Sequence, residues 1–104
     1  MSQPTAKTVS TTVDIVIPVL NEAHVLEKSV ETVRRFLARG FDYSWKLVLV
    51  DNGSTDGTDQ VAQRVAEKHA DVEFLQLQQK GRGRALRHAW LRSQAEIVCY
   101  MDVD

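Results

Sequence analysis

Asp102 and Asp104 stand one residue apart, directly after the apolar run Glu96–Met101 (EIVCYM). Carboxylate oxygens are hard ligands, so two of them at the end of a strand can hold magnesium or manganese. Side chains alternate between faces along a strand, so the chain must turn here for both to share one ion. A solvated strand end accounts for the same spacing without any ligand.

A second acid, Asp51, closes the apolar run KLVLV and opens DNGSTDGT. Asn52-Gly53 favours a tight turn that lets backbone approach a ligand. Asp51 can accept from a base N–H or a ribose hydroxyl, and Ser54 and Thr55 add short hydroxyls. Turn formation and an N-cap at Asp56 explain Gly53, Asp56 and Gly57. They do not explain an acid ending an apolar strand.

A third group is KGRGRALRHAW, with Lys80, Arg82, Arg84 and Arg87 around a helix start and Gly81 and Gly83 among them. Backbone N–H groups freed by glycine, together with a helix N-terminus, suit an anion such as diphosphate. Leu86 occupies the place of the third glycine in a dinucleotide fingerprint, and there is no Walker A pattern. Arg84, His88 and Arg92 share a spacing of four, so part of this set is a solvated face, and Arg92 is expected at the surface. The fourth group, PVLNE, contributes Pro18, Asn21 and Glu22. Asn21 reads as an N-cap, with Leu20 and Val25 as the staple around it.

The elements that must position these groups are legible from periodicity. Val13–Ile17, Lys46–Val50, Val72–Leu77 and Glu96–Met101 are short apolar runs, continuous except for the more alternating third. Continuous runs indicate a parallel sheet covered on both faces, and alternation indicates an edge strand. Leu26, Val30, Val33 and Leu37 form one helical stripe, ended by Gly40. Val61, Ala62, Val65 and Ala66 form a second, and Ala85, Leu86, Ala89 and Trp90 a third. The order β-α-β-α-β-α-β implies an α/β fold, a right-handed Rossmann-like parallel sheet flanked by helices. All four polar groups then follow strands, on the carboxyl edge where such sheets bind ligands.

Composition narrows the classes. The 104 residues carry a formal charge of −1, with 43% hydrophobic and 26% charged residues. That balance suits one globular domain and argues against a nucleic-acid-binding protein. No run reaches the roughly 20 apolar residues that span a bilayer. Residues 1–12 are polar, lack the apolar centre of a secretory signal, and read as a disordered tail before a unit at 13–104. Cys99 lies in an apolar run and reads as an inert core thiol. His24, His69 and His88 lack ligand spacing and read as surface or interface residues. Trp45 and Trp90 read as packing residues.

Taken together, VDIVIPVLNE, KLVLVDNGSTDGT, KGRGRALRHAW and IVCYMDVD, in this order and spacing, resemble the N-terminal nucleotide-sugar-binding part of family 2 glycosyltransferases of the GT-A fold. The lysine-glycine run is most similar to the polyprenyl-phosphate (dolichol-phosphate) mannosyl- and glucosyltransferase branch. The resemblance implies a donor site in which Pro18 and Glu22 line the base and ribose end and Asp51 holds the nucleoside. It implies that Asn21, Asn52 and Ser54 belong to the same site and that Lys80, Gly81 and Arg84 run near the diphosphate. Asp102-Val103-Asp104 would be the DXD motif, with Asp104 on a divalent cation (Mg2+ or Mn2+) and Asp102 at the ribose or the cation's water shell.

The implied reaction is metal-dependent, inverting transfer of a sugar from a UDP- or GDP-linked donor to a lipid-phosphate acceptor. The implied setting is cytoplasmic, with the parent enzyme at the cytoplasmic face of a membrane. Many relatives carry a second acid where this chain has Asn52, which leaves the base undetermined. On this reading the chain is the donor-binding portion of a longer enzyme, inactive alone, whose bared sheet edge would pair with a second copy. Two other classes compete. A sugar-phosphate nucleotidyltransferase would need a glycine- and arginine-rich loop after the first strand, which PVLNEAH lacks. A non-enzymatic module would use Lys80 to Arg92 as a basic patch for RNA or an anionic membrane, RNA binding showing steep salt dependence.

Overall fold

The computed structural model describes residues 11–77 and 82–102. Strand β1 spans Thr12–Val19, helix α1 Leu26–Gly40, β2 Ser44–Asp51, α2 Thr58–Lys68, β3 Val72–Gln76, α3 Arg82–Arg92 and β4 Ile97–Tyr100. The alternating order expected from the apolar runs is the observed one. Of the tail expected over residues 1–12, residues 1–10 lie outside the described residues, and Thr12 already belongs to β1.

All strand pairs are parallel, in the order β3-β2-β1-β4. The two connections from β1 to β3 step one way across the sheet, and the third steps back past β1. Right-handed crossovers therefore place α1 and α2 on one face and α3 on the other. Packing follows that rule. Ile15, Ile17, Leu47 and Leu49 face Leu26, Val30 and Leu37 of α1 and Ala62 and Val65 of α2. Val16, Val48 and Val50 face Ala89 and the half-buried Leu86 of α3. Strands β1 and β2 are apolar almost throughout because both of their faces are covered. The more alternating β3 is an edge strand, as its pattern implies.

The opposite edge departs from expectation. Strand β4 is apolar, yet Ile97 and Tyr100 are 46% and 45% exposed. Cys99 is exposed rather than buried in the core. Among the described residues, no helix covers the outer flank of β4, so its apolar side chains reach solvent. Trp90 is also exposed (63%) rather than packed, because Leu86 and Ala89 already fill the contact of α3 with the sheet. Trp45 does pack against the larger core cluster.

Polar ties fasten α1 to α2 and to the turn after it. Arg34 donates to both carboxylate oxygens of Asp71 at 2.8 and 3.1 Å, which raises its already high pKa. His69 pairs with Glu31 at 3.1 Å, and Lys68 with Glu27. His69 is thus an interface residue, while His24 and His88 are exposed. Arg92 is a surface residue paired with Glu73 at 2.6 Å.

Candidate nucleotide site

Strand order reverses between β1 and β4, and that reversal opens a crevice at their carboxyl ends. Pro18 lies next to last in β1, on one side of it. The Met101 N–H donates to the Val16 carbonyl at 2.9 Å, the last rung recorded between β4 and β1. Pro18 lies two residues on and faces the same neighbour by alternation, and having no N–H it cannot extend the ladder. The chain leaves strand geometry after Tyr100, before Asp102.

Asp51 is wholly buried at the end of β2. Its backbone carbonyl accepts from Leu77 N–H at 3.0 Å, tying the end of β2 to β3. Its carboxylate accepts only from Ser54 N–H, at 3.4 and 3.3 Å, among the hydrogen bonds recorded for the described residues. Those contacts are long for N–H···O bonds, so the carboxylate keeps capacity for stronger donors. Asn52 beside it is 7% exposed, and its backbone N–H donates to the Val19 carbonyl at 3.0 Å. The turn that follows depends on Gly53 at φ 90° and Gly57 at φ 94°, backbone conformations that side chains disfavour.

The loops after β1 and β2 form one hydrogen-bonded body. Asn21 N–H donates to Ser54 Oγ at 2.9 Å, and Asn21 Oδ1 accepts from Thr55 N–H at 2.8 Å. Glu22 N–H donates to Thr58 Oγ1 at 2.7 Å, and Ala23 N–H to Asp56 Oδ2 at 3.2 Å. Asp56 Oδ1 accepts from both the hydroxyl and the N–H of Thr58. Chiefly because of the Thr58 hydroxyl, and then the Ala23 and Thr58 N–H groups, the Asp56 carboxyl is held below the usual carboxylate range.

This corrects the expectation for Asn21. It is not an N-cap: α1 begins five residues later at Leu26, after Val25, which gives no side-chain cap. Leu20 and Val25 are exposed at 42% and 38%, so no staple forms. Asn21 instead adopts φ 52°, a left-handed conformation that asparagine tolerates, and spends its amide on the neighbouring loop. The expected cap at Asp56 is observed in part. Gly57 holds the N-cap position of α2, but Asp56 accepts the Thr58 N–H at the start of that helix.

Asp102 is exposed beyond β4 and accepts from the Tyr100 hydroxyl at 3.2 Å. Arg84 lies on the exposed side of the first turn of α3. Lys80, Gly81 and Asp104 lie outside the described residues. Among the described residues, no group of three or more His, Cys, Asp or Glu is arranged to hold a metal ion. The structure therefore gathers Pro18, Asn21, Glu22, Asp51, Asn52 and Ser54 at the carboxyl ends of β1 and β2, with Asp102 just beyond β4.

The model of glycosyl transferase family 2 matches residues 14–104. The chain belongs to this family. A dolichyl-phosphate beta-glucosyltransferase of Trichomonas vaginalis is 28% identical over 94 residues, covering 86% of this chain and 28% of that enzyme. Among solved structures, a mannosyltransferase from Pyrobaculum calidifontis, in complex with GDP-Man and Mn2+, superposes with a TM-score of 0.76 at 30% identity. That match covers 94% of this chain and 29% of the other. Glucosyl-3-phosphoglycerate synthase from Mycobacterium tuberculosis, in complex with Mn2+, UDP-Glc and phosphoglyceric acid, superposes at 0.67 with 27% identity, covering 96% and 35%. The chain thus spans about a third or less of the length of these proteins.

The sheet and its helices are the Rossmann-like α/β arrangement of GT-A glycosyltransferases. Within that family-2 fold, the roles of Thr58 and Asp56 in joining the two loops were not visible in the sequence. Their contacts to Glu22 and Ala23 bridge 36 and 33 residues, and the only local signal was a Thr and an Asp at a helix start.

Proposed function

We propose that this chain forms the donor half of a metal-dependent, inverting glycosyltransferase that binds a UDP- or GDP-linked sugar. The observation that carries the reading is the buried Asp51 carboxylate at the carboxyl end of β2, held among the described residues only by long contacts, in a chain matched to family 2 over residues 14–104. A buried carboxylate lacking short donors gains most from a ligand that brings them. A nucleobase N–H or a ribose hydroxyl does so. Pro18 and Glu22 line the base and ribose end, and Asn21 and Ser54 shape the turn around it. Asn52 is an amide that both donates and accepts, so it reads the base differently from a carboxylate.

Asp102 and Asp104 supply oxygen donors of the type a hard divalent cation takes, and Asp102 lies on the exposed side of the crevice. When bound there, such a cation neutralises charge on the departing diphosphate. Lys80, Gly81 and Arg84 are assigned to the diphosphate through cationic groups and backbone N–H donors. The acceptor is a lipid phosphate, already ionised near neutral pH, so no general base is assigned. Among the described residues no helix is long and apolar enough to cross a membrane. A lipid-phosphate acceptor supports a membrane setting for the parent enzyme, here assigned to the cytoplasmic face. The outer edge of β4, with Ile97 and Tyr100 exposed, is assigned to pairing with a second copy of the chain.

Calorimetric titration of UDP and of GDP with MgCl2 into the chain tests the donor reading. One nucleotide is expected to bind, with Asp51→Asn weakening it at least about tenfold and Asp102→Asn removing its dependence on magnesium. Binding that Asp51→Asn leaves intact contradicts the reading. No sugar transfer to a polyprenyl phosphate is expected from this chain alone, and sedimentation should show a concentration-dependent dimer.

A further inference from the structure

The segment from Leu20 to Val25 presents two of the assigned donor-site residues, and its own backbone bonds run from Val25 and Leu26 N–H to the Glu22 carbonyl at 3.1 and 2.9 Å. It has no helix cap at Val25, its two large apolar side chains are exposed, and Asn21 sits at positive φ. The side-chain contacts that fasten its backbone come from Ser54, Asp56 and Thr58, after the neighbouring strand β2. Thr58 is wholly buried, although it begins a helix beside an exposed loop. Its hydroxyl is fully committed, accepting from Glu22 N–H while donating to Asp56. Asp56 uses both carboxylate oxygens as acceptors, one for Thr58 and one for Ala23. An amide could not do this, because its nitrogen would set a donor against a donor.

We propose that Thr58 and Asp56 are positioning residues for donor binding, fixing the Pro18–Glu22 loop at the distance from Asp51 that a nucleoside needs. They touch the loop and not the donor. The proposal rests on the nucleotide-binding reading above. Capping of α2 alone would explain the Asp56 contact to Thr58, but not the Asp56 contact to Ala23 or the Thr58 contact to Glu22. Both latter bonds run to another element.

The test uses the chain with Thr58→Val, Thr58→Ser and Asp56→Asn, read by amide hydrogen exchange without ligand and by nucleotide titration with magnesium. Thr58→Val and Asp56→Asn are expected to speed exchange at Glu22 and Ala23 while Ile17 and Leu49 exchange as before. Both should raise the nucleotide Kd about three- to tenfold, the scale of one lost hydrogen bond. Thr58→Ser keeps the hydroxyl and should restore both readouts. Should Thr58→Val not fold, Asp56→Asn carries the same test. A wild-type chain that binds nucleotide while the variants bind equally well overturns the proposal alone. A wild-type chain that binds neither UDP nor GDP overturns the nucleotide reading, and the proposal falls with it.

Discussion

The Glu22 amide donates to the buried Thr58 hydroxyl at 2.7 Å, joining two loops that lie 36 residues apart in the chain. This bond and its neighbours make the loops after β1 and β2 one preassembled surface. Preassembly lowers the ordering cost a ligand must meet on binding.

Acid should loosen that surface at Asp56. Its folded pKa is lowered by the Thr58 hydroxyl and then by the Ala23 and Thr58 amides. Its contribution to stability is therefore complete above the ordinary carboxylate pKa and is lost as pH falls through the lowered folded value. Glu27, lowered by its hydrogen bond to Lys68, acts with the same sign. Urea midpoints measured down the acid range should fall less steeply for Asp56→Asn than for wild type. Identical slopes would remove Asp56 from the account.

Core and surface substitutions should separate cleanly. Ile17 is wholly buried between β2 and the helices α1 and α2, so Ile17→Ala should cost about 2–5 kcal/mol through lost burial and a cavity. Phe36 is 73% exposed on α1, and Phe36→Ala should stay within about 0.5 kcal/mol. Equal losses in urea unfolding would contradict the assignment of faces.

Cys99 should be accessible but sluggish. It is exposed on β4, yet the desolvation it does undergo raises its pKa, and the charge of Asp14 raises it further. The thiolate is the reactive form. Iodoacetamide should therefore label the native chain slowly at neutral pH and faster as pH rises past the ordinary thiol range. Rapid labelling at pH 7 would contradict this.

The regular elements were legible because they repeat. Leu26, Val30 and Leu37 mark α1 by spacing, and the doubly covered β1 and β2 show as unbroken apolar runs. Asp51 was legible as an acid that apolar periodicity cannot explain. What escaped was set by distance in sequence. Asn21 looks like a cap until Ser54 and Thr55 arrive from the next loop. Trp90 and Cys99 carry apolar signals without a covering partner, and no local pattern reports which flank of a sheet stays open. The clamp at the other end of β1 was equally hidden. There Ser93 Oγ donates to Asp14 at 2.7 Å, and Glu96 N–H donates to Thr12 Oγ1 at 3.0 Å.

The central claim is that the carboxyl edge binds a nucleoside diphosphate with a divalent cation. Backbone-amide NMR of the chain, titrated with UDP and with GDP, each with and without magnesium, tests it most directly. The account predicts shifts for one nucleotide at Val19–Glu22, Asp51–Ser54 and Asp102, with those at Asp102 dependent on magnesium. Shifts confined to the opposite edge around Asp14 and Glu73, or none with either nucleotide, would contradict it.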